Sequence, residues 1–152
     1  MSEGYILFTK GKQYQLTEDF TVRLHKCSIP DNIVLGPIKL FRDGYLTIDS
    51  YYTWDGPSGP TKFFRGLPLV GWMYPIASFM RGALVHDALY QLMRHNLLSA
   101  GHRDWADEEL IWLCKVDGMT AYRRWWVYHG LDYGGGASIR PENIQKVYRA
   151  PN

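Results

Sequence analysis

Residues 38–48, Ile-Lys-Leu-Phe-Arg-Asp-Gly-Tyr-Leu-Thr-Ile, decide the class of the fold. Apolar and polar residues alternate on both sides of Asp43-Gly44, a pattern that is typical of strands with one buried face. An Asp-Gly pair between two such segments is a strong signal for a type I′ hairpin turn. The stretch therefore predicts an antiparallel hairpin, whose second arm would continue through residues 49–52.

The sequence before this hairpin carries further short strand patterns. Residues 5–9 and 13–16 flank Lys10-Gly11-Lys12, where the glycine supplies the positive φ that a short turn needs. Residues 20–24 alternate cleanly and predict a half-buried strand. We therefore expect an antiparallel sheet of about four to six short strands.

Helical periodicity replaces the strand pattern in the second half of the chain. Residues 79–93 are apolar on almost all faces, which indicates a buried helix. A second helix has apolar residues at i, i+4, i+7 and i+8 from Ala106, with Asp104 as its expected N-cap. A third, short helix over residues 122–129 would end at Gly130, a natural residue for a helix C-terminus.

The order of these elements predicts an α+β fold, with an N-terminal antiparallel β-sheet of short strands followed by three C-terminal α-helices. A length of 152 residues fits a single domain. Its expected parts are a mainly β region, an irregular loop rich in glycine and proline, a helical region and a tail, at residues 1–53, 54–75, 76–131 and 132–152.

Composition excludes several classes of protein. Hydrophobic residues make up 46% and charged residues 21%, so the chain is not a disordered sequence. Two cysteines, Cys27 and Cys114, do not make a disulfide scaffold and suit a reducing compartment, although one bridge stays open. The first residues lack the pattern of a secretory signal, and no run of about 20 apolar residues could span a bilayer. We expect a soluble, intracellular protein.

Charge and aromatic content bear on the partners. The formal net charge of +2 is too small to predict a nucleic acid as a specific partner. Arg123 and Arg124 lie beside Trp125 and Trp126, and with this charge balance we expect these side chains to pack in the core instead of stacking on a single strand.

Polar residues stand out in the first, largely apolar helix. His86, Tyr90 and Arg94 are spaced at i, i+4 and i+8, so they share one face, and Asp87 lies about 100° around the axis. Buried polar groups need partners. Asp107 projects from the core-facing side of the second helix, whereas Glu108 and Glu109 should turn outward. If the two helices pack antiparallel, Asp107 can reach His86 and Tyr90.

Two interpretations of this set are open. In the first it is a buried hydrogen-bond network that fixes the helix register, with Asp107 as a capping-box carboxylate behind Asp104. In the second it is a catalytic arrangement in which a histidine base is oriented by a carboxylate and a tyrosine, and a second carboxylate is available to a cation.

The stretch Val85-His86-Asp87-Ala88-Leu89-Tyr90 resembles the His-Asp-x-x-Tyr active-site helix of phospholipase A2, and Trp105-Ala106-Asp107 resembles the start of its second helix. The resemblance implies that His86 is the base, that Tyr90 and Asp107 hold its ring, and that Asp87 binds Ca²⁺. The backbone carbonyls of Gly56 and Gly59 would complete this calcium site, since Ca²⁺ prefers hard oxygen ligands.

A second resemblance covers residues 53–119. The run Arg81-Gly82-Ala83-Leu84-Val85-His86-Asp87-Ala88-Leu89-Tyr90, then Arg94, then Arg103-x-x-Ala106-Asp107, is similar to an uncharacterised family, a domain of unknown function, found in tailed phages and their bacterial hosts. This resemblance implies a phage or prophage origin, and therefore the host cytoplasm or the virion as the location. It implies no reaction.

Together these features predict a small phage-encoded hydrolase with His86, Tyr90 and Asp107 as its catalytic set, acting on a small-molecule or lipid ester. The alternative is a non-catalytic phage protein, either a component of the virion or tail or a protein that binds a phage or host factor. In that case the same residues are purely structural.

Overall fold

The computed structural model describes residues 4–10, 13–54 and 77–141, and these fold as antiparallel β-structure followed by helices. The β-part has seven short strands, β1 to β7 in chain order: Phe8–Lys10, Tyr14–Leu16, Phe20–Arg23, Ile33–Leu35, Ile38–Leu40, Tyr45–Ile48 and Thr53–Trp54. The helical part has three α-helices, α1 to α3: Ala77–Arg94, Arg103–Val116 and Ala121–Ser138. The predicted α+β class is confirmed.

The central hairpin forms where the sequence predicts it, but its turn is of another type. β5 and β6 pair with Leu40 opposite Leu46. The Phe41 N–H donates to the Tyr45 carbonyl at 2.8 Å, and the Gly44 N–H donates to the Phe41 carbonyl at 2.9 Å. Only Gly44, at φ 91°, is left-handed in this loop, whereas a type I′ turn needs two such residues. The connection is therefore a three-residue loop that ends on a left-handed glycine.

The strands form two sheets instead of the single one that we expected. One sheet has the order β1-β2-β7 and the other the order β3-β6-β5-β4. The second arm of the hairpin ends at Ile48 and does not run on through residues 49–52, and the chain then bends at Tyr51, which has a φ of 68°. After this bend β7 pairs with β2, with Tyr14 opposite Trp54. Both sheets and α1 bury apolar residues in the same hydrophobic cluster.

Two helix ends differ from the sequence prediction. A short 3-10 helix, Ala100–His102, leads directly into α2, so Asp104 lies within the first turn of α2 and is not its N-cap. Helix α3 continues past Gly130 to Ser138, and residues 132–138 therefore belong to a helix and not to a tail. A glycine inside a helix costs about 1 kcal/mol relative to alanine. Burial of Val127 and Leu131 on either side of Gly130 offsets this cost.

Helices α1 and α2 pack antiparallel and very closely. Arg81, near the start of α1, forms a two-armed ion pair with Asp117, just after α2, with its Nε 3.0 Å from Oδ2 and its Nη2 2.7 Å from Oδ1. Gly82 follows, and a methyl group built on it would lie 3.0 Å from the carbonyl oxygen of Leu110. The missing side chain of Gly82 allows this close approach.

The outer face of α3 carries exposed aromatic side chains, although we expected Trp125 and its neighbours to pack in the core. Tyr122 is 65% exposed and Trp125 53% exposed, and Tyr128 is also exposed. Trp125 contacts Trp126 edge-on, with ring centroids 4.9 Å apart. The buried face of the helix is formed instead by Val127 and Leu131.

Within the described residues, none of the helices combines the length and the apolar character needed to cross a membrane. Both cysteines are free thiols. Burial raises the pKa of the Cys114 thiol to about 12, so this cysteine is unreactive at neutral pH. The predicted irregular loop at residues 54–75 lies outside the described residues except for Trp54, the last residue of β7.

One acidic residue predicted to turn outward is buried. Glu109 is only 2% exposed, because this face of α2 packs against the turn that follows β3. In that contact the Trp105 indole donates to the His25 carbonyl at 2.8 Å, and the His25 ring stacks on Trp112. Burial raises the pKa of Glu109 to about 7, although hydrogen bonds to the His25 backbone and the Trp105 side chain oppose the rise.

This buried carboxyl predicts that stability falls as the pH rises. The native pKa lies above the ordinary value of 4.5, so the folded state holds its proton more tightly, and stability is lost between about pH 4.5 and 7. Glu109→Gln removes the titration, and we expect it to be more stable than wild type at pH 8 by about 2 to 3 kcal/mol, with the gap closing towards pH 4. Urea unfolding at both pH values measures this, with the exposed neighbour Glu108→Gln as control. A constant gap would contradict it.

Candidate active site

The site is built around Asp107, which accepts two hydrogen bonds from α1. His86 Nε2 lies 2.7 Å from Asp107 Oδ1, and the Tyr90 hydroxyl donates to the same oxygen at 2.6 Å. The centroids of the His86 and Tyr90 rings are 3.9 Å apart, because the two residues lie one helical turn apart on one face of α1. The predicted meeting of His86, Tyr90 and Asp107 across the two helices is confirmed.

Burial makes these hydrogen bonds necessary. Asp107 is 5% exposed and Tyr90 is buried, so an unpaired carboxylate or hydroxyl here would be strongly unfavourable. The second oxygen of Asp107, Oδ2, lies 3.9 Å from Arg103 Nε, one turn earlier on α2. Burial, followed by the hydrogen bond and the charge of Asp107, raises the pKa of Tyr90 above 10, so the phenol stays protonated and remains a donor.

The contact with Asp107 also selects the form of the histidine ring. A carboxylate only accepts hydrogen bonds, so Nε2 carries the hydrogen in the neutral ring and Nδ1 carries the lone pair. Among the described residues no hydrogen-bond partner of Nδ1 is found. The side chain of His86 is 14% exposed. The arrangement can therefore act as a base through Nδ1, with Asp107 stabilising the positive ring that results.

The capping role that sequence suggested for Asp107 is wrong. The N-cap of α2 is His102, and no side chain caps the backbone there. The carboxylate of Asp107 is used by His86 and Tyr90 instead. A purely structural network of these residues would therefore not include a capping box.

Asp87 belongs to a second polar cluster on a neighbouring face of α1. Its Oδ2 accepts a hydrogen bond of 2.9 Å from the hydroxyl of Tyr52, which lies between β6 and β7. Gln91 also hydrogen-bonds Tyr52, and the charge of Arg94 acts on the same phenol. Arg94, expected in line with His86 and Tyr90, is thus electrostatically linked to Tyr52. Burial and Asp87 raise the pKa of Tyr52 well above 10.

The calcium site is only partly covered by the described residues. Gly56 and Gly59, whose carbonyls would complete it, lie outside them. In the described part of the chain no three His, Cys, Asp or Glu side chains are grouped to hold a metal. Asp87 is the single predicted ligand present there, and one of its oxygens already accepts from Tyr52. The described residues alone do not make a calcium site.

Sequence reasoning missed two residues of this region. Arg103 precedes Asp107 by one helical turn, and this i, i+4 spacing of opposite charges is a signal that could have revealed it. Its Nη2 also donates to the Leu131 carbonyl of α3 at 3.2 Å. No signal in the sequence pointed to Tyr52, because it lies 35 positions before Asp87 and the residues around it have the pattern of the end of a strand.

Comparisons with protein-family models, with curated proteins and with solved structures found no match for this chain.

Proposed function

We propose that this protein is a small phage-encoded hydrolase that cleaves carboxylic esters, with His86 as general base and Asp107 and Tyr90 as the residues that position it. The observation that carries the proposal is the 2.7 Å contact between His86 Nε2 and Asp107 Oδ1. A histidine oriented by a buried carboxylate is the recurring arrangement for activating a nucleophile in acyl transfer. The phage origin and the ester substrate rest on the two sequence resemblances.

The proposed reaction needs one proton carrier. Nδ1 of His86 takes a proton from a water molecule while the water oxygen bonds to the ester carbonyl carbon. The tetrahedral intermediate then expels the alcohol oxygen, which receives the same proton from His86, and the products are a carboxylic acid and an alcohol. Asp107 stabilises the imidazolium in between, and the neutral Tyr90 hydroxyl keeps Asp107 Oδ1 in place.

Asp107→Asn tests the proposal directly. The amide of asparagine can donate to Nε2, which would place the ring hydrogen on Nδ1 and remove the base. We expect kcat for an activated ester, such as a nitrophenyl ester, to fall by about 10²- to 10⁴-fold. Asp104→Asn, an exposed change at the start of the same helix, is the control and should hydrolyse at the wild-type rate. Equal rates for wild type and Asp107→Asn would refute the role of the pair.

Calcium is a separate part of the proposal. If Asp87 binds Ca²⁺ together with the carbonyls of Gly56 and Gly59, calcium at about 100 times its Kd should stabilise the fold by about 2.7 kcal/mol. Thermal unfolding with calcium and with a chelator measures this, and Asp87→Asn should abolish the shift. No shift in the wild type would remove calcium from the proposal without affecting the His86 mechanism.

One observation favours the non-catalytic alternative, in which the chain binds a phage or host protein. The exposed rings of Tyr122, Trp125 and Tyr128 lie along one face of α3, and aromatic residues are enriched where proteins meet. In that case purified wild type hydrolyses no ester, and the contacts of Asp107 serve stability alone. Ester hydrolysis by the wild type separates the two functions.

A further inference from the structure

The buried carboxylate of Asp107 carries a negative charge that needs a permanent counter-charge. The His86 ring is neutral when it acts as a base, and the Tyr90 hydroxyl donates to Asp107 without bringing a positive charge. A buried charge without compensation is strongly unfavourable. Among the described residues, two side chains that can be cationic form ion pairs with Asp107, those of His86 and Arg103. Arg103 is the one that stays charged throughout the reaction.

Arg103 reaches Asp107 in two ways. Its Nε lies 3.9 Å from Asp107 Oδ2, which is a charge contact and is too long for a hydrogen bond. The hydrogen bonds from His86 and Tyr90 both go to the other oxygen, Oδ1. The guanidinium also hydrogen-bonds the Tyr90 side chain. Because a guanidinium only donates, the Tyr90 oxygen accepts there, and its own hydrogen is directed to Asp107 Oδ1.

A third contact holds the guanidinium in place. Arg103 lies at the start of α2, and its Nη2 donates to the carbonyl of Leu131 on α3 at 3.2 Å. Leu131 is itself buried. The guanidinium therefore contacts Tyr90 on α1 and Leu131 on α3 from its position on α2, so all three helices fix its distance from Asp107.

We infer that Arg103 is a positioning residue of the proposed hydrolase, whose permanent charge compensates the Asp107 carboxylate while the His86 ring is neutral. This inference rests on the proposed function. A buried carboxylate that loses its counter-charge neutralises itself by taking up a proton. A protonated Asp107 no longer stabilises the positive ring that forms when His86 takes a proton from water, so the reaction slows although nothing has changed at the ester.

Two substitutions separate the charge of Arg103 from its bulk. Arg103→Met removes the charge and keeps a long side chain, whereas Arg103→Lys keeps the charge. We expect Arg103→Met to lower kcat for a nitrophenyl ester by about 10- to 100-fold with KM within about twofold of wild type, because Arg103 acts through Asp107 and not on the substrate. Arg103→Lys should recover most of this loss. Arg42→Met, the same change on an exposed arginine between β5 and β6, should match wild type.

A second readout does not depend on activity. Arg103→Met should lower the melting temperature by about 3 to 8 °C in the wild-type background. In the Asp107→Asn background the same change should cost less than half as much, because no carboxylate charge is left to compensate and only the contacts with Tyr90 and Leu131 are removed. Asp104→Asn is the matched control background, since Asp104 also acts on Arg103 by charge, and the full loss should persist there.

Three results would overturn the inference: an unchanged kcat in Arg103→Met, equal losses of kcat in the methionine and lysine variants, or equal losses of melting temperature in all three backgrounds. If the wild type hydrolyses no ester, the proposed function fails, and Arg103 is then judged on the melting temperatures alone. A loss that shrinks only in the Asp107→Asn background supports its charge compensation of Asp107, and equal losses refute it.

Discussion

Replacement of His86 with glutamine is expected to abolish ester hydrolysis while the protein stays folded. Glutamine cannot act as a base at neutral pH, but its amide can donate to Asp107 Oδ1 in place of Nε2, so the buried carboxylate keeps a partner. General-base catalysis contributes about 10²- to 10⁴-fold, and we expect at least this loss in kcat. Steady-state hydrolysis and circular dichroism of the same sample measure both quantities.

His86→Ala adds a comparison that isolates the contribution of the Asp107 contact to stability. Alanine removes the base and also leaves Asp107 with one hydrogen bond fewer in a buried place, at a cost of about 1 to 3 kcal/mol. An enzyme should lose activity in both variants, and only the alanine variant should lose stability. A non-catalytic protein should show the loss of stability in the absence of any activity to lose. Full hydrolysis by His86→Gln would eliminate His86 as the base.

Gly82→Val is expected to have the largest effect on stability. The added Cβ would lie 2.8 Å from Leu110 Cδ1, 3.0 Å from the Leu110 carbonyl oxygen and 3.3 Å from Cys114 Sγ. The leucine methyl can move, but the carbonyl oxygen belongs to the backbone of α2 and cannot. We expect a destabilisation of about 3 kcal/mol from this overpacking, or a melting temperature lower by about 6 to 12 °C.

A matched control is Gly101→Val in the short 3-10 helix, where an added Cβ meets only Ser99 Oγ, at an ordinary 3.5 Å. This change should be much milder. The valine at position 82 should also reduce hydrolysis, because helices forced apart at Gly82 carry Asp107 away from His86. Chemical unfolding of both variants provides the comparison, and equal stabilities would show that the close approach of the helices at Gly82 is not essential.

Local patterns in the sequence predicted much of the fold and part of the site. The alternation around Asp43-Gly44 and the apolar periodicity of residues 79–93 are strong short-range signals, and both elements form. The pairing of His86 and Tyr90 with Asp107 followed from helical spacing and the need to satisfy buried polar groups. Such arguments succeed because they depend on residues close together in the chain.

The misses have a common physical origin in tertiary packing. The sequence predicted that Glu109 faces solvent, but the turn at His25 packs over it. It also predicted that a helix ends at Gly130, but Val127 and Leu131 are buried on either side and the helix continues. The pairing of β7 with β2 and the contact of Tyr52 with Asp87 join distant parts of the chain. Local propensity carries no information about such partners.

The His86–Asp107 contact joins residues only 21 positions apart, on two consecutive helices. The contacts that join His86, Tyr90 and Asp107 therefore lie within two consecutive antiparallel helices. A His–Asp pair of this kind can arise independently on unrelated scaffolds. Convergent evolution can therefore reach the same pair of side chains in folds that share no ancestor.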